Sequence, residues 1–200
     1  EVFKKSTEEY KDLPFILEKF NHKDEQFTVM TYGRFKEDVI HLGTGLNRLL
    51  NLKDKRVVII GENTYYWYVS YMAMLCGVGI AVPVDNEIEN VIHRSRAEAV
   101  IYSTKKKDAI KKIRENVPEV NYFIQMNDVT PLQDKDVGIE YVIKQGEQLV
   151  RSGDNSYMDI KIDPDEFKVL IFTSGTTSQA KGVMICNRNL AENINAVSAY

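Results

Sequence analysis

A short run of hydroxyl residues, glycines and a lysine is the part of this sequence best suited to chemistry. Its members are Thr173, Ser174, Gly175, Thr176, Thr177, Ser178, Lys181 and Gly182. Backbone N–H groups in a glycine-containing turn can converge on an anion, and hydroxyl side chains add further donors. A lysine ammonium on its flexible chain can follow a phosphate through a reaction. Residues 173–182, called the phosphate loop below, are therefore predicted to bind phosphate or pyrophosphate.

The flanking segments predict regular structure on both sides of the phosphate loop. An apolar run at residues 167–172 predicts a buried strand before it, and a helical pattern begins near Asn187 after it. A helix in that position would direct the positive end of its dipole toward a bound anion. The loop is not a Walker A motif, because Ala180 precedes Lys181 and Gly182 follows it. A surface loop rich in turn-forming residues is the alternative interpretation.

Apolar strands and helical patterns alternate along the rest of the chain. Strands are predicted at residues 56–60, 80–84, 99–102, 120–124 and 167–172, and helices at 34–50, 65–75, 88–96, 105–116 and 146–152. Residues 13–20 could form a further short helix, and residues 127–138 are rich in turn formers. This alternation predicts an α/β fold with a mostly parallel sheet flanked by helices on both faces, in which ligands bind at the carboxyl ends of strands. Because Pro83 lacks an N–H donor, its strand should lie at an edge or end its pairing there.

Composition and charge limit the classes of partner. The 200 residues carry a formal net charge of -3, which gives no electrostatic reason to expect nucleic acid or an anionic membrane. No apolar run approaches the roughly 18 residues that would span a bilayer. Two isolated cysteines, Cys76 and Cys186, predict free thiols in a reducing compartment. We therefore expect a cytoplasmic protein without a nucleic-acid partner or an integral membrane segment, with its oligomeric state left open.

Three other groups of chemically capable side chains have a simpler structural interpretation. The cations between Lys105 and Arg114 fit the solvated face of a helix better than a nucleic-acid site. The aromatic residues 65–71 fit core packing, with an acyl-binding wall as the alternative. The scattered histidines, which are His22, His41 and His93, show no metal-ligand spacing and are interpreted as structural or surface residues.

The phosphate loop also carries a resemblance to a known family. Thr173-Ser-Gly-Thr-Thr-Ser-Gln-Ala-Lys-Gly-Val183 resembles the signature Thr-Ser-Gly-Thr-Thr-Gly-x-Pro-Lys-Gly-Val of the adenylate-forming (AMP-dependent) synthetases and ligases. Residues 31–35 and 74–85 are similar to two further patterns of that family. Residues 62–75 and 181–190 look most like long-chain fatty acid–CoA ligases. The sequence departs from the family at Ser178, Ala180 and Asn187, where glycine, proline and often histidine are usual.

The resemblance implies both a reaction and a place in a larger enzyme. The family joins a carboxylate to ATP with release of pyrophosphate and then transfers the acyl group to a thiol, commonly coenzyme A. The resemblance implies that the phosphate loop binds the β- and γ-phosphates of ATP and that the Thr173 hydroxyl approaches Mg²⁺. Residues 1–200 would form the N-terminal segment of an adenylation domain, without the rest of the large domain or the lid domain, and would be inactive alone. A non-catalytic phosphate-binding α/β module is the alternative, and a kinase-like phosphoryl transferase is disfavoured.

Overall fold

Helices and strands alternate through most of the chain. The computed structural model describes residues 2–19, 23, 25–85, 87–173 and 181–198. The helices in these ranges are α1 (Val2–Glu9), α2 (Tyr32–Arg48), α3 (Tyr65–Ala73), α4 (Ile88–Ser95), α5 (Lys107–Ile113), α6 (Ile139–Arg151) and α7 (Asn187–Ser198). The strands are β1 (Pro14–Glu18), β2 (Thr28–Thr31), β3 (Arg56–Ile60), β4 (Ile80–Val84), β5 (Ala99–Tyr102), β6 (Tyr122–Gln125), β7 (Asp136–Gly138), β8 (Phe167–Thr173) and β9 (Lys181–Cys186).

One seven-stranded sheet organises the fold. Its strand order is β7-β6-β5-β3-β4-β8-β9, and β1 pairs with β2 in a separate two-stranded sheet. Neighbouring strands of the large sheet are parallel except for the antiparallel pair β8–β9. The predicted α/β class with a mostly parallel, helix-flanked sheet is confirmed.

The sheet separates two hydrophobic clusters, because successive side chains of a strand point to opposite faces. Val57 and Ile59 of β3 pack on the face covered by α2, α3 and α6. Val58 and Ile60 of the same strand pack on the other face, with α4 and α5. The predicted helix at 65–75 is shorter than expected. It ends in a π-helical turn, Met74–Val78, in which Gly77 adopts a φ of 140°.

Several sequence predictions are wrong in the N-terminal region and around residues 127–152. Residues 13–20 do not form a helix, because β1 pairs with β2 and turns Phe15 and Ile16 toward the core. The first helix, α1, was not predicted. Its Phe3 ring packs edge-on against Phe35 of α2, with the ring centroids 5.7 Å apart. Strand β7 interrupts the predicted turn region, and α6 begins at Ile139 rather than at residue 146.

Candidate phosphate-binding site

The two described ends of the phosphate loop belong to one β-hairpin. Thr173, the last residue of β8, pairs with Lys181, the first residue of β9, and Phe172 pairs with Gly182. Thr173, Lys181 and Gly182 are all exposed. The loop therefore leaves the sheet at the carboxyl end of β8, where ligands of such sheets bind. The other predicted site residues, which are Ser174, Gly175, Thr176, Thr177 and Ser178, lie outside the described residues.

The expected contribution of a helix dipole to this site is wrong. Strand β9 separates the phosphate loop from α7, which begins at Asn187 directly after Cys186. Cys186 pairs with Phe167, the first residue of β8, so α7 begins at the end of the hairpin opposite the loop. Six residues of strand span about 20 Å. The dipole of α7 is effective only within its first turn and does not reach the loop.

Ionic and polar contacts hold the base of the hairpin. The Arg188 guanidinium donates from Nε to Asp165 Oδ1 at 2.6 Å and from Nη2 to Asp165 Oδ2 at 2.8 Å. These hydrogen bonds, more than the charge alone, lower the pKa of Asp165. The Arg188 backbone N–H donates to the Pro164 carbonyl oxygen at 2.8 Å. The Asn187 side-chain amide donates to the Leu75 carbonyl oxygen at 3.5 Å, so the atypical Asn187 links α7 to the π-helical turn.

The upper hairpin, which is the end nearest the phosphate loop and comprises residues 170–173 and 181–184, has little backbone pairing to the parallel strands. Strand β4 pairs with β8 at a single register position, Ala81 with Val169. The Ile80 N–H donates to the Lys55 carbonyl oxygen, on the side of β4 that faces β3. Because backbone N–H groups alternate between the two sides of a strand, the nitrogen of Pro83 lies on the other side, facing β8. Proline has no N–H to continue this ladder. Pro83 thus lies on an interior strand, contrary to the edge prediction, and the β4–β8 pairing ends before it, as the alternative expectation required.

Side chains supply the contacts that are missing from the β4–β8 ladder. The Arg94 guanidinium of α4 lies over the Phe172 ring, with Cζ 5.0 Å from the ring centroid. Phe172 also packs across the hairpin, where a Cβ on Gly182 would lie 3.5 Å from the ring. Neither contact was predicted, because no sequence pattern links residues 94, 172 and 182.

The other candidate groups differ in their burial and in their contacts within the protein. The Tyr65 side chain is fully buried, and the Trp67 and Tyr71 rings stack with centroids 5.2 Å apart. Packing within the protein is therefore confirmed for these aromatic residues. His93 bonds through Nδ1 to Glu119 at 2.7 Å, and burial lowers the pKa of His41. His22 lies outside the described residues. The cations of α5, which include Lys107, Lys111 and Lys112, are exposed as predicted.

Two features are absent within the described ranges: a metal-binding group and a membrane-spanning helix. The His, Cys, Asp and Glu residues there form no group that could hold a metal ion. None of the helices in the same ranges combines the length and apolar character needed to cross a bilayer.

Cys76 provides a test of packing at the π-helical turn, in which it lies. Burial raises the pKa of its thiol to about 11. Because the thiolate is the reactive form, iodoacetamide near pH 8 should alkylate Cys76 about 100-fold more slowly than a thiol with a pKa about two units lower. The rate should keep rising until about pH 11. Mass spectrometry of the Cys76 peptide would measure this, with the urea-unfolded chain as control. Equal rates in the folded and unfolded chains would contradict the burial.

Comparison with known proteins gives matches along almost the whole chain. The AMP-binding enzyme family matches residues 3–200. The chloroplastic long-chain-fatty-acid–[acyl-carrier-protein] ligase AEE15 of Arabidopsis thaliana is 24% identical over 218 residues, which cover 100% of this chain and 29% of that protein. The long-chain-fatty-acid–CoA ligase ACSBG2 of Xenopus laevis is 26% identical over 199 residues, which cover 95% of this chain and 26% of that protein. The chain thus spans less than a third of these relatives.

Solved structures share the fold. The crystal structure of a long-chain-fatty-acid-CoA ligase from Archaeoglobus fulgidus matches with a TM-score of 0.77 at 18% identity. The match covers 98% of this chain and 38% of that one. At this identity, the similarity establishes a common architecture for the sheet and its helices.

Proposed function

Because the chain belongs to the AMP-binding enzyme family, as its sequence motifs indicated, we propose that it is part of an ATP-dependent acid–thiol ligase. In the first step, a carboxylate oxygen attacks the α-phosphorus of ATP, forming acyl-AMP and releasing pyrophosphate. In the second step, the thiol of coenzyme A attacks the acyl carbon, forming the thioester and releasing AMP. The names of the relatives, which are long-chain fatty acid ligases, support a fatty acid as the carboxylate substrate.

The hairpin geometry is the observation that supports this proposal. Thr173 and Lys181 are cross-strand neighbours at the carboxyl end of β8, so a hydroxyl group and an ammonium group flank the start and end of the phosphate loop. Both residues are exposed and can reach a ligand. Lys181 would offset charge on the β- and γ-phosphates of ATP. Among the described site residues, Thr173 is suited to Mg²⁺, because hydroxyl oxygen is a hard ligand and Mg²⁺ prefers oxygen. Bound Mg²⁺ would neutralise phosphate charge.

The proposed function also concerns where the 200-residue chain lies within a larger enzyme. We assign residues 1–200 to the N-terminal segment of an adenylation domain, and we expect them to bind phosphates without completing adenylation. Carboxylate-dependent exchange of labelled pyrophosphate into ATP by the purified 200-residue chain would contradict that expectation. The alternative, a non-catalytic phosphate-binding module, predicts no such exchange in any longer protein that contains this segment. Cytoplasmic location stays a prediction, since one relative is chloroplastic by name.

Replacing Lys181 by alanine tests the assigned phosphate contact. The affinity of the chain for inorganic tripolyphosphate should fall about tenfold, because one charge-assisted interaction is lost. Isothermal titration calorimetry would measure the dissociation constant with and without Mg²⁺. Lys144→Ala is the matched control, because Lys144 is also an exposed lysine but lies on α6. An unchanged dissociation constant for Lys181→Ala would remove this residue from the site.

A further inference from the structure

We propose that Arg94 is a positioning residue for Thr173 and Lys181, the described ends of the phosphate loop, and that it acts by holding Phe172, the residue that precedes Thr173. The contact between Arg94 and Phe172 is a feature of the fold and does not depend on what the loop binds. Its consequence for phosphate affinity rests on the function proposed above. The inference therefore has one structural test and one binding test.

The carboxyl end of β8 needs such a contact. Backbone pairing between β4 and β8 is confined to Ala81 and Val169, and Pro83 cannot extend it. Val169 is fully buried, whereas Thr173 is exposed. Beyond Val169, the pairing of β8 within the described residues is with β9 alone, and β9 ends the strand order β7-β6-β5-β3-β4-β8-β9. The upper hairpin can therefore move relative to the parallel sheet unless side chains restrain it.

Arg94 extends from a helix that is firmly fixed. Val91 and Ile92 of α4 are 5% and 0% exposed and pack in the same cluster as Val82 of β4. Arg94 follows them on α4 and places its guanidinium over the Phe172 ring. A planar guanidinium stacks on an aromatic face in a way that the compact ammonium of lysine does not match. Arg94 thus connects the hairpin to the sheet by way of α4.

The restraint passes from Phe172 to both ends of the loop. Phe172 is covalently joined to Thr173, and it pairs across the hairpin with Gly182, which is joined to Lys181. A cross-strand aromatic ring that covers glycine compensates for the packing that glycine lacks. The Phe172 ring thus lies against the Gly182 position on the neighbouring strand, as does the Leu170 side chain. Anion-binding groups that are already placed lose less conformational freedom on binding, so holding Thr173 and Lys181 in position favours affinity.

Hydrogen exchange in the unliganded chain tests the positioning role directly. In Arg94→Ala, the amides of residues 181–183 should exchange about three- to tenfold faster than in the wild type, because a cation–π contact of ordinary strength is lost. Arg94→Lys should fall between the two. Arg151→Ala is the matched control, because it removes an exposed arginine that pairs within α6. The amides of β3 should not change in any variant, which verifies folding. Unchanged exchange at residues 181–183 in Arg94→Ala would overturn the inference.

The binding test separates this inference from the proposed function. Arg94→Ala should weaken tripolyphosphate binding about three- to tenfold, and it should have a smaller effect when Phe172 is already leucine, because both changes remove the Arg94–Phe172 contact. If Lys181→Ala weakens binding but Arg94→Ala changes neither binding nor exchange, the positioning role is wrong and the function stands. If the wild type does not bind tripolyphosphate while Arg94→Ala still accelerates exchange, the proposed function is wrong and the structural role of Arg94 stands.

Discussion

Gly146→Ala should lower the free energy of unfolding by about 3 kcal/mol, although alanine is the better helix former. On helix propensity alone, the change would stabilise α6 by about 1 kcal/mol. Packing reverses the sign, because a Cβ at residue 146 would overlap the His41 carbonyl oxygen and lie 3.0 Å from the Gly45 nitrogen, both in α2. These are backbone atoms of a buried helix, so no flexible side chain can move aside. The two helices would have to separate.

Urea unfolding monitored by circular dichroism would measure this loss. Gln148→Ala is the matched control, because Gln148 is exposed on the same helix and its replacement should change the free energy of unfolding by no more than about 0.5 kcal/mol. A Gly146→Ala chain as stable as the wild type would show that α2 and α6 do not approach this closely.

Gly146 also illustrates why some elements could not be predicted from the sequence. The sequence pattern predicts a short helix that begins at this glycine, at residues 146–152. The structure places it in the middle of α6, where the contact with α2 requires it. That contact joins residues about a hundred positions apart in the chain, so no local sequence pattern predicts it. Strand β9 was missed for a related reason: most of its residues are exposed, and its pairing with β8 forms it.

The central strands were predictable because burial alone specifies them. The bounds of β3, β4 and β5 agree with the prediction residue for residue, since strands covered on both faces appear as continuous apolar runs. The phosphate loop was likewise visible, because its residue types are adjacent in the chain. The contacts that hold the ends of this loop could not be predicted. Arg94 and the Asp165–Arg188 pair come from separate segments, and a single arginine or aspartate carries no signal until the fold brings it to its partner.

A buried polar cluster that links α2, α3 and the two-stranded sheet carries the second large effect. Asp38 of α2 is 1% exposed, and its Oδ2 accepts hydrogen bonds from Arg34 Nε and from the Tyr65 hydroxyl, both at 2.8 Å. Burial, reinforced by the Asp38 charge, raises the pKa of Tyr65 far above its usual range, so the hydroxyl remains a donor. The Tyr65 backbone N–H donates to Glu18 of β1 at 2.6 Å. Tyr65 therefore links α3 to both α2 and the small sheet.

Asp38→Ala should lower the free energy of unfolding by about 3 kcal/mol, because it leaves the buried Tyr65 hydroxyl without its acceptor and removes a charged partner of Arg34. Asp38→Asn should cost less, about 1–2 kcal/mol, because its side-chain oxygen can still accept from Tyr65. Glu37→Ala, at the exposed neighbouring carboxylate, should change the free energy by no more than about 0.5 kcal/mol. Urea unfolding would also give a double-mutant cycle with Tyr65→Phe. The double mutant should lose less free energy of unfolding than the sum of the two single losses, because both changes remove the same Tyr65–Asp38 hydrogen bond. Strict additivity would mean that the two side chains stabilise the fold independently.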